Sequence, residues 1–160
     1  TASHLLNQND SIISYSDIFY ESFALRNFLN QKELSILYSS VWKKLWSRRF
    51  NCPIDDAETF SIDNYGYLKD IGGPLDSLDN TCGQYMGIVS FTPKVFSVFE
   101  KIFYTLPENI RNEIDVTSFL KYLLISKSLN IKTIPYEGVW GEVDIPTDLD
   151  LYNSSSFYFP

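Results

Sequence analysis

The sequence is poor in the groups that many enzyme classes depend on. It has one histidine, His4, so neither a Ser-His-Asp triad nor a histidine-rich zinc site is expected. Its two cysteines, Cys52 and Cys82, are too few for a disulfide framework. They suit a reducing compartment, as small apolar fillers. Basic clusters are missing as well. None exceeds the Arg48-Arg49 pair, in a chain of net charge −7, which argues against a nucleic-acid partner. No apolar run approaches the roughly 20 residues needed to span a bilayer. The N-terminus lacks the basic-then-apolar layout of a secretory leader. The expected location is therefore cytoplasmic, with no membrane partner.

What is present is a globular composition. Hydrophobic residues make up 44% and aromatics 16% of 160 residues, enough for the core of one domain rather than a disordered chain. An acidic chain still binds nucleotides where a divalent cation bridges carboxylate and phosphate.

Residues 1–9 read as the end of a helix. Ser11 to Ser16 reads as a buried strand ending at Asp17, and Phe19 to Asn30 as a helix. Leu34 to Tyr38 is a second strand, giving the βαβ signature of a parallel sheet. Val41 to Phe50 is an amphipathic helix, with Lys43, Lys44, Arg48 and Arg49 on its solvated face. Gly66 marks a hairpin, and Gly72-Gly73-Pro74 opens a polar loop to Asn80. Gln84 to Phe91 is a strand with Gly87 inside it, which signals close approach of another backbone or a ligand. Thr92-Pro93 starts a helix with Val95, Phe96, Phe99, Ile102 and Phe103 as its core stripe. A polar turn over 107–114, a helix from Asp115 to Ser126 and a strand over 130–136 follow. A fraying tail is expected from Ser154.

The C-terminal stretch from Gly138 to Tyr152 carries the chemistry. In an extended segment Glu142 and Asp144 point to the same side and form a hard-oxygen patch suited to Mg²⁺. Pro146 then opens a short helix with Thr147 and Asp148 in its first turn. The plainer reading is that these acids cap and solvate a helix start. Asp17, at the end of an apolar strand where open α/β sheets bind ligands, favours the metal reading. Asp17 and Asp144 are expected to converge, with Glu142 beside them.

Five segments appear in a telling order: YSDIFY, RFNCPIDDAETF, GQYMGIVSFTP, DVTSFL and WGEVDIPTDLDLY. Together, from Ser11 to Tyr152, they resemble the sugar-1-phosphate and choline-phosphate nucleotidyltransferases of the MobA-like type. The resemblance implies an α/β fold of the GT-A, Rossmann-like kind: a mixed, mostly parallel central sheet flanked by helices. Residues 1–152 would be the C-terminal two-thirds of that domain and 153–160 a tail. The implied reaction is attack of a phosphomonoester, such as phosphocholine or a sugar 1-phosphate, on the α-phosphate of a nucleoside triphosphate. CTP is the favoured nucleotide, Mg²⁺ the cofactor and pyrophosphate the product. The resemblance makes Asp17 and Asp144 the catalytic metal ligands, with Glu142 on the same or a second ion. It puts Gln84, Asp115 and Thr117 at the acceptor. Tyr85 and Trp140 would wall in its head group, by cation–π attraction in the choline case, or else pack in the core.

The sequence also departs from the family. The glycine-rich nucleotide loop is absent, because the chain starts after its place. Ser39 stands where an aspartate is usual, and Gly73 and Pro74 where lysines are common. Two readings follow: an enzyme domain whose isolated chain transfers little without its missing part, or a non-catalytic remnant or split half that binds acceptor or a partner. In either, Ser11 to Ser16 becomes a sheet edge without Lys, Pro or bulge. A homodimer, a strand-exchanged assembly or a completing N-terminal chain is expected to cover it, unless residues 1–9 fold over it.

Overall fold

The central strand of the computed structural model is β3, Leu34–Ser39, all six residues of which are buried. The structure describes residues 2–154. Burial on both faces requires cover on both, and the alternation of the strand divides it. Leu34, Ile36 and Tyr38 face one core with Phe91, Phe119, Leu120 and Leu123. Leu37 faces the other with Trp42, Trp46, Met86, Ile88 and Trp140.

Around β3 lies a four-stranded sheet in the order β1-β6-β3-β7. β1, Ser11–Ser14, and β3 both pair antiparallel with β6, Gln84–Phe91. β3 pairs parallel with β7, Ile131–Tyr136. Three strands therefore run one way and β6 against them, the mixed sheet that was expected. β6 separates β1 from β3, so the opening segment is not two neighbouring strands. β1 is an edge: its burial runs from intermediate at Ser11 to exposed at Ser14, and Ile13 is exposed. The strand expected to be buried is thus half-open, because among the described residues only β6 pairs with it.

Residues 19–30 form no α-helix. β2, Ile18–Tyr20, pairs antiparallel with β8, Trp140–Glu142, and a 3-10 helix covers Ser22–Asn27. The Ile-Phe-Tyr run is β-branched and aromatic, and the available partner strand decides against the helical spacing. The hairpin is β4, Phe60–Ile62, with β5, Leu68–Ile71, and Gly66 turns it at φ 79°. Of the helices, α1 spans Ser3–Leu6 and α2 Trp42–Arg49. Next is α3, Pro93–Thr105, with Thr92 Oγ1 accepting from the Val95 amide. α4, Glu108–Glu113, is a short helix where a turn was expected. α5 spans Val116–Ile125, and α6 spans Pro146–Asn153, opened by its proline. Cys52 and Cys82 are exposed free thiols, not the buried fillers expected. Beyond Ser154, the expected tail lies outside the described residues.

Candidate functional site

The β2–β8 pair brings the two acid motifs together. Ile18 lies opposite Glu142, and the Val143 amide donates to the Asp17 carbonyl at 2.8 Å. The backbone of Asp17 therefore sits against the residue between Glu142 and Asp144. Tyr152 of α6 pins the same strand: its hydroxyl donates to the Glu142 carbonyl at 2.8 Å and accepts from the Glu142 amide at 3.1 Å.

A cavity of about 230 Å³ opens beside this corner. Gln84, Tyr85, Thr117, Glu142 and Asp144 all line it, together with Tyr15, Trp46, Asp56, Glu58 and Gly87. Five of the sequence-predicted residues thus share one cavity. Gly87 explains part of its shape. At φ +74° a Cβ here would lie 2.7 Å from the Tyr15 ring, so only glycine lets that ring settle on β6. The close approach expected at Gly87 is a side chain of this chain. Tyr15 shares the cavity wall with Thr117, and burial raises its pKa.

Gln84 is buried, and both ends of its amide are used on one neighbour. Its Oε1 accepts from the Glu58 amide at 3.2 Å, and its Nε2 donates to the Glu58 carbonyl at 2.7 Å. Gln84 therefore holds Glu58 in the cavity wall. Burial, followed by the charges of Asp115 and Asp56, raises the Glu58 pKa. Asp115 caps α5, its Oδ1 accepting from the Ser118 amide at 2.8 Å. Asp17 does not line the cavity, although its charge reaches Tyr15. Trp140 stacks on Trp46 with centroids 5.5 Å apart. It faces a separate cavity of about 310 Å³ with Glu21, Lys44 and Glu137, so Trp46 takes the place expected for it.

Arg49 was expected on a solvated face, and its side chain is instead fully buried. Its Nε and Nη2 reach the two Asp148 oxygens at 3.0 and 3.1 Å. Nη1 bonds Glu142 Oε2 at 3.0 Å, and Nη2 bonds Asp144 Oδ2 at 2.5 Å. The guanidinium also lies over the Trp46 and Phe50 rings, at 5.3 and 4.8 Å. Burial opposes its charge, but the bonds to Asp148 and Asp144 outweigh that and raise its pKa. Glu142 is pushed up to about 7 by burial, against the pull of Arg49. The sequence held a signal for this: Arg49 follows Trp42 and Trp46 on the same helical stripe.

Among the described residues no three His, Cys, Asp or Glu side chains converge as a protein-only metal cage. Mg²⁺ on a nucleotide needs less, because one or two carboxylates suffice beside phosphate oxygens. Asp144 fits: its side chain is half-exposed, and Arg49 engages only one of its oxygens.

No family model matches the chain. Its sequence is 34% identical over 151 residues to the CTP:phosphoglutamine cytidylyltransferase of Campylobacter jejuni, covering 90% of this chain and 59% of that protein. In sequence and fold the chain is related to the nucleotidyltransferases. A Bacillus anthracis protein assigned as a glucose-1-phosphate thymidylyltransferase shares the fold with a TM-score of 0.65. It is 18% identical, over 95% of this chain and 56% of its own. The inositol-1-phosphate CTP transferase of T. maritima gives 0.62 at 16% identity, over 92% and 54%. The chain thus spans little more than half the length of the nucleotidyltransferases it matches.

Proposed function

We propose that this chain carries the acceptor side of a CTP-using nucleotidyltransferase that acts on a phosphomonoester and releases pyrophosphate. The observation that carries the reading is the cavity that joins Gln84, Tyr85 and Thr117 to the Glu142–Asp144 corner. The related cytidylyltransferase, named for CTP and phosphoglutamine, supports the same nucleotide and acceptor class. In this reading residues 1–152 act as one unit, and Asp17 and Asp144 hold Mg²⁺ with Glu142 beside them. Bound Mg²⁺ would neutralise charge on the triphosphate and the leaving pyrophosphate. Arg49 keeps the corner formed, and Tyr15 and Thr117 orient the acceptor. Glu58 and Asp56 line the cavity, and no Lys or Arg does. That lining suits an acceptor with a positively charged end, which favours phosphocholine or an amino-acid phosphate over a sugar 1-phosphate.

One observation favours a second reading, a binding domain without catalysis. Arg49 already balances Glu142 and Asp144, so the corner is held without a metal. The test combines pyrophosphate release from CTP and Mg²⁺ with calorimetric binding of phosphocholine, phosphoglutamine and glucose 1-phosphate. Release with an ammonium-bearing acceptor supports transfer. Acceptor binding without release supports the second reading. Neither binding nor release, with a folded protein, overturns both.

A further inference from the structure

The geometry points to Arg49 as a positioning residue: its fork forms the β8–α6 corner before any metal arrives and presents Asp144 to the ion. This rests on the reading of Asp144 as a metal ligand. Three carboxylates close together in a half-buried corner repel one another and would splay apart without a cation. Arg49 supplies that cation from within the fold. Its side-on fork to Asp148 fixes a carboxylate that is 1% exposed. Asp148 passes the constraint on through Oδ2, which accepts from the Asp144 amide at 3.0 Å and the Ile145 amide at 3.2 Å. Arg49 thus grips Asp144 twice, at the carboxylate directly and at the backbone through Asp148. The rings of Trp46 and Phe50 hold the guanidinium plane from the α2 side. Trp46 is also a wall of the acceptor cavity, so one helix ties the metal corner to the acceptor pocket. A lysine at position 49 would keep the charge and lose the fork, since an ammonium cannot bond Asp148 side-on.

Outer partners of metal ligands typically contribute 10- to 100-fold in metal affinity. The test measures Mn²⁺ binding to the protein with CTP, by EPR, in wild type and Arg49→Lys, with melting temperature recorded alongside. At least about tenfold weaker binding by a folded Arg49→Lys protein is expected. Equal binding overturns the proposal, and tighter binding makes Arg49 a competitor of the metal rather than its organiser. Should Arg49→Lys not fold, amide hydrogen exchange on wild type decides. Asp144 and Ile145 are expected to be protected without metal and unchanged by Mn²⁺. Exposure of these amides until Mn²⁺ is added overturns the proposal. If Mn²⁺ does not bind wild type at all, the metal reading fails, and protected amides would then leave Arg49 a purely structural clamp.

Discussion

The two sides of β3 are built on different terms. On the α3–α5 side the core is almost wholly apolar, with Phe91, Phe96, Phe99 and Phe119 in ring contact. On the α2–β8 side the packing also buries an arginine side chain and Asp148, with Gln84 at the strand end beside the cavity. Apolar packing tolerates a range of shapes, whereas a buried polar group needs a partner at one distance and angle. The first side therefore makes the domain stable. The second makes one arrangement of it unique, and the cavity opens at its end, where Thr117 of α5 and Tyr85 meet it from the first side.

Breaking the polar side at its hub has the largest expected effect. Asp148→Ala leaves the buried Arg49 short of its bidentate partner and frees two amides, and about 3–5 kcal/mol of stability is expected to go. Chemical denaturation measures it. The same residue sets an acid limb. Asp148 is buried, yet the Arg49 hydrogen bond and the Asp144 and Ile145 amides lower its pKa below the ordinary value. A lowered folded pKa contributes stability above the unfolded value, and that stability is lost as pH falls through the folded one. Between pH 5 and 2 the wild type is expected to lose stability more steeply than Asp148→Asn. Parallel curves would remove Asp148 from the account.

On the apolar side Leu123→Ala is expected to cost about 2–5 kcal/mol, because Leu123 is fully buried. Acceptor affinity, measured by calorimetry below the melting transition, is expected to stay as in wild type. A parallel loss of affinity would mean that the two sides are not separable. Gly87→Ala sharpens the contrast. Its positive φ and the 2.7 Å approach to the Tyr15 ring predict a cost of about 1–3 kcal/mol, together with weaker acceptor binding as Tyr15 is displaced. The smallest effect is expected for Trp140→Phe, which should leave acceptor affinity unchanged, since Trp140 faces the other cavity.

The same contrast decides what could be read from the sequence. Apolar spacing placed α3 and α5 with their cores, and Thr92-Pro93 marked where α3 starts. Gly66 and Gly87 were legible because glycine alone fits their backbone. The Glu142–Asp144 corner was visible as a pattern, but its neighbourhood with Asp17, expected from two strand ends of one sheet, is made by the separate β2–β8 ladder. β2 was missed, because an Ile-Phe-Tyr segment at helical spacing takes its state from the strand it meets, Trp140–Glu142, far along the chain. Arg49 was missed because a charge on a helix reads as solvent-facing unless its partners are known, and all three lie beyond residue 140. Glu58 and Tyr15 are placed by Gln84 and Gly87, contacts that no local spacing encodes.

β1 sharpens the account in another direction. Its outer edge pairs with no described strand, and exposed edges invite a further strand. Light scattering at tens of micromolar, with exchange of the Ser11 to Ser14 amides, tests for a self-associated form. A monomer with slowly exchanging amides would show the edge covered from within.

The proposed metal site has Asp17 and Asp144 meeting at one ion beside the proposed acceptor cavity. Substoichiometric Mn²⁺ with CTP, followed by NMR line broadening, tests that most directly. The amide signals of Asp17, Glu142, Val143 and Asp144 are expected to broaden first, ahead of those of Lys44 and Glu137 at the other cavity. Broadening that begins at Lys44 and Glu137, or that spares Asp17 while Asp144 responds, would contradict it.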